Sequence, residues 1–288
     1  MKVAVTGASG HLGGFCVPAL QAAGHETLVV PREVRQAGVP SLRTALAGVE
    51  AVVHLAGHIP EDTARLDPDD AEATLRGNAA GTAALLEALA TARHLRAVVY
   101  ASSFEVYGLP LALPIREDHP TRPLSFYGAA KLAGEHFVRL FGAARGLPCC
   151  NLRLPAVYGP GARLRSAISN FIRDAAAGRP PEIHGSGEDR RDLVYAKDAA
   201  DAVVRALATG ARGEINLGSG TGYRVAELAE AVCRVARLAA PPARLPSRKP
   251  ARDYVLDITR AKQELGWEPR TRLDAGIAAQ LAWVRAGG

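Results

Sequence analysis

The chain has 288 residues, 48% of them hydrophobic and 22% charged, which is enough apolar material for one large α/β core with or without a small appendage, and speaks against long disorder. The net charge is +6, but the arginines are scattered in small groups (Arg163 and Arg165, Arg190 and Arg191, Arg248 to Arg252), which argues against nucleic acid and suits an anionic small molecule. No run approaches the roughly 18 apolar residues of a membrane span, and Met1 leads into a strand without a basic and apolar leader.

In chain order, KVAVTGASGHLGGFCVPALQAAGHETLVV reads as strand, glycine turn, helix, Gly-His turn and strand. A second unit ends on the short apolar strand of ALAGVEAVVHLAG, and a helix carries NAAGTAALLEALA. The strand LRAVVYASS, the long helix FYGAAKLAGEHFVRLFGAARG and a strand within PCCNLRLPAVYG follow. Apolar strands alternating with helices imply an α/β fold: a Rossmann-type doubly wound parallel sheet, covered on both faces. After residue 160, GRPPEIHGSGEDRRD and LAAPPARLPSRKPARD are rich in Pro and Gly and read as loops of a smaller C-terminal portion over the sheet's carboxyl edge. The expected division is a dinucleotide-binding domain over 1–160, taking in roughly 193–218, and a substrate-binding portion over 161–192 and 219–288. Cys16, Cys149, Cys150 and Cys233 show no C-x-x-C and no Cys/His spacing, so free thiols in a reduced compartment and no metal are expected. The sum is a soluble cytoplasmic protein without membrane or nucleic-acid partners.

Gly7, Gly10 and Gly13 form G-x-x-G-x-x-G directly after the first strand and at the start of a helix. Glycine keeps such a turn tight and lets backbone approach a pyrophosphate, which the helix N-terminus stabilises. Tyr127 and Lys131 are four apart on a helix and share a face. A phenol with an ordinary pKa near 10 is a poor acid or base at neutral pH, and an adjacent ammonium lowers it. Ser102 and Ser103 end the preceding strand at the carboxyl edge, where a hydroxyl can orient a substrate oxygen or simply bond its own backbone.

Together these residues resemble the extended short-chain dehydrogenase/reductases, in particular the NAD-dependent epimerase/dehydratase group that modifies nucleotide sugars. The resemblance runs almost end to end: TGASGHLGG, VVHLAG after the fourth strand, NAAGT, SSFEVYG, YGAAK, LRLPAVYGPG, IHGSGEDRRDLVYAKD, INLGSG and LDITRAKQELGWEPRTRL occur in the family's order. It implies Tyr127 as general acid/base, Lys131 on the nicotinamide ribose and Ser103 as the third catalytic residue. Cofactor contacts would come from Gly7, Ser9, Gly10, His11, Leu12 and Gly13, then Leu55, Ala56, Gly57, Asn78, Ala101, Pro155 and Val157, together with Tyr127 and Lys131. The substrate would meet Ser102, Ser103, Phe104, Tyr127 and Arg191, with Arg248 or Arg252 as a second phosphate-binding cation. The family is commonly dimeric through helices like the one after Tyr127, whose Leu132, Phe137, Val138, Leu140 and Phe141 face more than one side, so a homodimer is expected.

The sequence departs from the family at three places. Ala156 stands where many epimerases carry an asparagine, and Phe104 where 4,6-dehydratases carry an aspartate, while Glu105 keeps the position of a dehydratase or decarboxylase glutamate. In LVVPRE, Pro31 replaces the acid that closes the second strand; Arg32 there favours NADP, whereas Glu33 reaching the ribose would favour NAD. The resulting expectation is an NAD(P)-dependent enzyme acting on a nucleotide-diphosphate sugar, foremost a C4 epimerase. The alternatives are an NADPH-dependent keto-sugar reductase, or a dehydratase/decarboxylase using Glu105 as catalytic base. A non-catalytic dinucleotide sensor is disfavoured by the intact Ser103, Tyr127 and Lys131.

Overall fold

The computed structural model describes residues 1–61, 63, 68–162, 166–246 and 252–288. Strand β1 (Lys2–Thr6) enters helix α1 (His11–Ala22) through the glycine turn, and β2 (Glu26–Val30) follows. Two short helices, α2 (Arg32–Gln36) and α3 (Val39–Ala45), lead to β3 (Ala51–His54). Helix α4 (Pro68–Thr74), a π-helical stretch Leu75–Ala80 and α5 (Gly81–Leu89) precede β4 (Ala97–Ser103); a 3₁₀ turn Phe104–Val106 and α6 (Phe126–Arg145) precede β5 (Cys149–Leu154).

These strands, with β10 (Gly213–Asn216), form one six-stranded sheet in the order β10-β5-β4-β3-β1-β2, parallel throughout. Its central strands read AVVH and AVVYASS and are buried at every residue, because both faces are covered. One face packs on α1 and, through Ala199, Ala202 and Val203, on α8 (Ala196–Thr209); the other packs on Leu42, Leu85, Leu89 and Val138. The chain leaves β1 for β2 on one side and for β3 on the other, so a crevice opens between β1 and β3 at the carboxyl edge, where ligands bind in such sheets. Register puts Thr6 opposite both Val30 and His54, so the glycine turn, the end of β2 and the loop after β3 share that edge.

One expectation is corrected here. VVHLAG closes the third strand of this chain, not a fourth, because residues 31–50 fold into α2 and α3 without a strand. Leu42 and Leu46 bury themselves in the core from that short segment, so it covers the sheet as helix and adds no further strand.

A second apolar cluster gathers Ile168, Phe171 and Ile172 of α7 (Ala167–Ala176), Leu228 and Val232 of α9 (Val225–Ala236), and Ile277 and Leu281 of α11 (Leu273–Arg285). Short strand pairs frame it: β6 (Ala156–Tyr158) with β9 (Leu193–Tyr195), β7 (Glu182–His184) with β12 (Ala243–Leu245), and β8 (Arg190–Arg191) with β11 (Tyr223–Arg224). After α10 (Thr259–Leu265), the fully buried Trp267 donates from Nε1 to the Asp198 carbonyl of α8 at 2.9 Å, fastening the C-terminal part to the sheet layer. Among the described residues no helix is long and apolar enough to cross a membrane, and all four cysteines are free and buried.

Candidate active site

The glycine turn is shaped by close backbone contact. A Cβ on Gly7 (φ +74°) would lie 2.6 Å from the Ala56 nitrogen, and one on Gly13 would lie 2.3 Å from the Gly7 carbonyl oxygen. Gly10 caps α1 without a side-chain hydrogen bond, which leaves the first N–H groups of the helix turned toward the crevice. Ser9 and Leu12 lie in the same turn, with Leu12, Leu55 and Val157 partly buried against the core. His11 is held between that turn and the Gly159–Pro160 backbone, and burial pushes its pKa down.

After β3 the chain passes under Asn78. A Cβ on Gly57 would fall 2.2 Å from Asn78 Oδ1 and 3.3 Å from Lys131 Nζ. Asn78 sits on the π-helical stretch and donates from Nδ2 to the carbonyls of His58 (2.7 Å) and Thr74 (3.1 Å), while its buried Oδ1 has no hydrogen-bond partner among the described residues. His54 is clamped by Thr6 Oγ1 (2.6 Å) and Thr82 Oγ1 (3.0 Å), and burial, helped by Lys131 and Arg35, pulls its pKa down to about 3, so it is neutral. Glycine backbone exposed at an uncapped helix start, with an unpartnered amide oxygen nearby, fits a dinucleotide.

The 3₁₀ turn after β4 and the start of α6 are pressed together. Ser125 caps α6 by accepting from Gly128 N (3.0 Å) and donates to Glu105 Oε2 (2.7 Å). Ser103 accepts from Glu105 N at 3.2 Å and is hydrogen-bonded to the Tyr127 phenol. Tyr127 and Lys131 are buried on the same face of α6. Lys131 Nζ donates to the Ala101 carbonyl at 2.8 Å and stands 4.8 Å from the Tyr100 ring centroid and 5.8 Å from that of Tyr127. Burial lowers the Lys131 pKa to about 8, opposed by Glu135.

The phenol does not follow the sequence expectation. Its pKa is raised, first by burial and then by the charge of Glu105, with only the Ser103 hydrogen bond pulling it down. Desolvation disfavours the phenolate. Glu105 is therefore no loose loop carboxylate, since it is tied to Ser125 and felt by Tyr127. Phe104 stacks edge-on against Tyr254, with centroids 5.1 Å apart.

The Ser102 hydroxyl is buried beneath the strand end and donates to Glu135 Oε1 at 2.5 Å. Glu135 is gripped by Arg153 through Nε (2.9 Å) and Nη2 (2.8 Å), a two-point contact with both side chains about 95% buried or more. Arg153 also donates to the Tyr107 hydroxyl (2.9 Å) and the Glu117 carbonyl (3.0 Å), and Tyr107 donates to Asn216 Oδ1 (2.7 Å). This network lies directly behind Lys131.

On the C-terminal side, a cavity of about 630 Å³ is lined by Asn170, Arg173, Arg179, His184, Asp189 and Arg191. Arg191 is bound to Asp189 Oδ2 at 2.7 Å and to the carbonyls of Arg190 and Arg252. Arg252 meets Arg191 through its backbone, not its guanidinium. Arg163, Arg165 and Arg248 lie outside the described residues. Ala156 and Val157 form the half-buried start of β6, just past Pro155.

Sequence reasoning missed Glu135, Arg153 and the α7 wall of the cavity. Two signals were present: Glu135 continues the four-residue spacing of Tyr127 and Lys131, and Arg153 is a charge inside an otherwise apolar strand. Arg173 and Arg179 carried no such mark, because only the packing of α7 beside β7 brings them to Arg191.

The model of the NAD dependent epimerase/dehydratase family matches residues 3–218. UDP-glucose 4-epimerase of Mycolicibacterium smegmatis is 31% identical, with 99% of both chains covered. A solved UDP-glucose 4-epimerase from Thermotoga maritima, with UDP-glucose, superimposes with a TM-score of 0.88 at 26% identity over 100% of this chain and 99% of the other. RMD from Pseudomonas aeruginosa, complexed with NADPH, gives 0.85 at 27% identity over 99% of each chain. On this breadth of similarity, laid over the glycine turn and the α6 face, the chain belongs to the NAD dependent epimerase/dehydratase family.

Proposed function

We propose that this protein is a nucleotide-diphosphate-sugar C4 epimerase working with a bound NAD or NADP. The observation that carries the reading is the convergence of Tyr127, Ser103 and Lys131 at the carboxyl edge, beside the glycine turn. A bound nicotinamide dinucleotide supplies the acceptor and donor of hydride at the sugar carbon. Tyr127 takes the proton from the sugar hydroxyl during oxidation and returns it during reduction. Ser103 orients that oxygen. Lys131 holds positive charge beside the phenol, which stabilises a developing phenolate. We assign the nucleotide diphosphate to the cavity at Arg191, with 161–192 and 219–288 as the substrate-binding portion. Relatives that are UDP-glucose 4-epimerases support the reaction class.

A reductase is the second reading, favoured by Arg32 at the end of β2 and by likeness to the NADPH-bound RMD structure. Incubation with UDP-glucose and related nucleotide sugars separates the two. Conversion between C4 isomers without net absorbance change at 340 nm is the expected result. Steady consumption of NADPH with a keto-sugar, and no isomer conversion, would replace it by the reductase. We also assign a homodimer to the exposed apolar side of α6, where Phe137 and Leu140 reach solvent, to be checked by sedimentation.

A further inference from the structure

Two consecutive residues at the end of β4 grip two residues one helical turn apart on α6. Ala101 accepts from Lys131 Nζ at 2.8 Å, and Ser102 donates to Glu135 Oε1. Ser103 follows on the strand and Tyr127 lies one turn before Lys131, so this pair of bonds sets both in register. Glu135 is itself fixed in place. Arg153 of β5 holds both of its carboxylate oxygens, and Asn151 Nδ2 reaches its carbonyl at 3.3 Å.

The Lys131 ammonium is 4% exposed, with the Ala101 carbonyl and the face of the Tyr100 ring against it. Burial drives its pKa down, and the charge of Glu135 opposes that. The other groups around it do not take this part. His54 of β3 is neutral, burial keeps the phenols of Tyr100 on β4 and Tyr127 on α6 protonated, and Arg153 of β5 is a cation. Glu105, on the 3₁₀ turn, bears on the Tyr127 phenol. The Gly57 backbone and the Asn78 amide, on the remaining side, are uncharged. A carboxylate one turn away on the same helix face, with Cβ atoms about 5–6 Å apart, is close enough to move an ammonium by about one pH unit or more.

We propose that Glu135 is a positioning residue for the hydride-transfer chemistry: its fixed carboxylate keeps Lys131 charged beside the phenol, and through Ser102 it locks that turn of α6 onto the strand end that carries Ser103. Glu135 acts through Lys131. The inference rests on the reading of Tyr127, Ser103 and Lys131 as the reacting set.

Nuclear magnetic resonance of carbon-13-labelled lysine side chains tests it without cofactor or substrate. The chain has five lysines, and Lys131→Met identifies the signal. Lys131 should titrate near 8 in wild type. Its midpoint should fall by at least about one unit in Glu135→Gln. It should rise in Arg153→Met, which keeps the carboxylate and removes the cation. Glu135→Asp retains the charge and should stay within about half a unit of wild type. Turnover of a nucleotide sugar should follow the titration. In Glu135→Gln the alkaline limb of kcat moves down in pH by the same amount, KM stays within about twofold, and lowering the pH restores the rate. A merely structural role would cost rate at every pH alike. Circular dichroism and thermal melts establish which variants fold, and because the two charge variants move Lys131 in opposite directions, either one decides. An unmoved Lys131 midpoint in a folded charge variant overturns the proposal. Coupled titration in a wild type that converts no nucleotide sugar overturns instead the proposed function, and with it the catalytic use of the coupling.

Discussion

Lys131 and the four thiols show how single buried groups tie stability to pH. Lys131 ordinarily titrates near 10.5 and is held at about 8, so between those values the unfolded chain binds more protons and stability rises with pH. The thiols oppose it. Burial raises Cys16 to about 12 and Cys149 to about 11, and Cys150 and Cys233 are raised as well, all from an ordinary value of 9. Above pH 9 the unfolded chain sheds thiol protons that the folded chain keeps, and each such group costs about 1.4 kcal/mol per pH unit at full effect. Four thiols outnumber one lysine, so stability from urea denaturation should fall between pH 9 and 10.5. Cys150→Ala should flatten that fall, and Lys131→Met should steepen it. For chemistry, Tyr127→Phe should reduce turnover by at least about 100-fold, the scale of acid/base catalysis, while calorimetry finds NADP binding within about twofold of wild type. Full activity in that variant would remove Tyr127 from the proposed acid/base role.

α6 is the element that converts sequence spacing into a site. Ser125 caps its start and Gly146, at φ +66°, ends it. Between them, glycines let the helix sit close on the sheet: a Cβ on Gly134 would come 2.4 Å from the Tyr100 hydroxyl. Gly134→Ala should therefore cost about 1–3 kcal/mol by overpacking, read as a lower denaturation midpoint. Activity should fall with it, because the same helix holds Tyr127 and Lys131 against β4. Loss of stability with unimpaired turnover would show that the α6 seat is not what positions them. The helix itself was legible from its length and apolar residues, and Tyr127 and Lys131 from their four-residue spacing. Ser102 and Ser103 look alike in sequence, whereas the strand points them to opposite faces. Only the packing of Glu135 against β5 settles where the Ser102 hydroxyl goes.

Across the molecule, the Glu135–Arg153 pair joins β4, α6 and β5 to the Tyr107 and Glu117 segment and, through Asn216, to β10. Removing one partner leaves the other charge buried and alone. Glu135→Ala should destabilise by about 3–5 kcal/mol, and the double variant Glu135→Leu with Arg153→Met should recover most of that loss. A double-mutant cycle by urea denaturation measures the coupling, and additive losses would show that the two charges do not depend on each other.

By itself the sequence determined the α/β alternation, the dinucleotide turn and the membership that the ordered motifs announce. Those features depend on local spacing: glycines at a strand–helix junction, apolar runs of strand length, Tyr127 and Lys131 one helical turn apart. The tertiary structure decided what depends on distant segments meeting. It showed that residues 31–50 contribute helices and no strand, that burial raises the Tyr127 phenol, and that Arg173, Arg179 and Arg191 share one cavity. Desolvation and convergence are properties of the assembled molecule, and no window of sequence carries them.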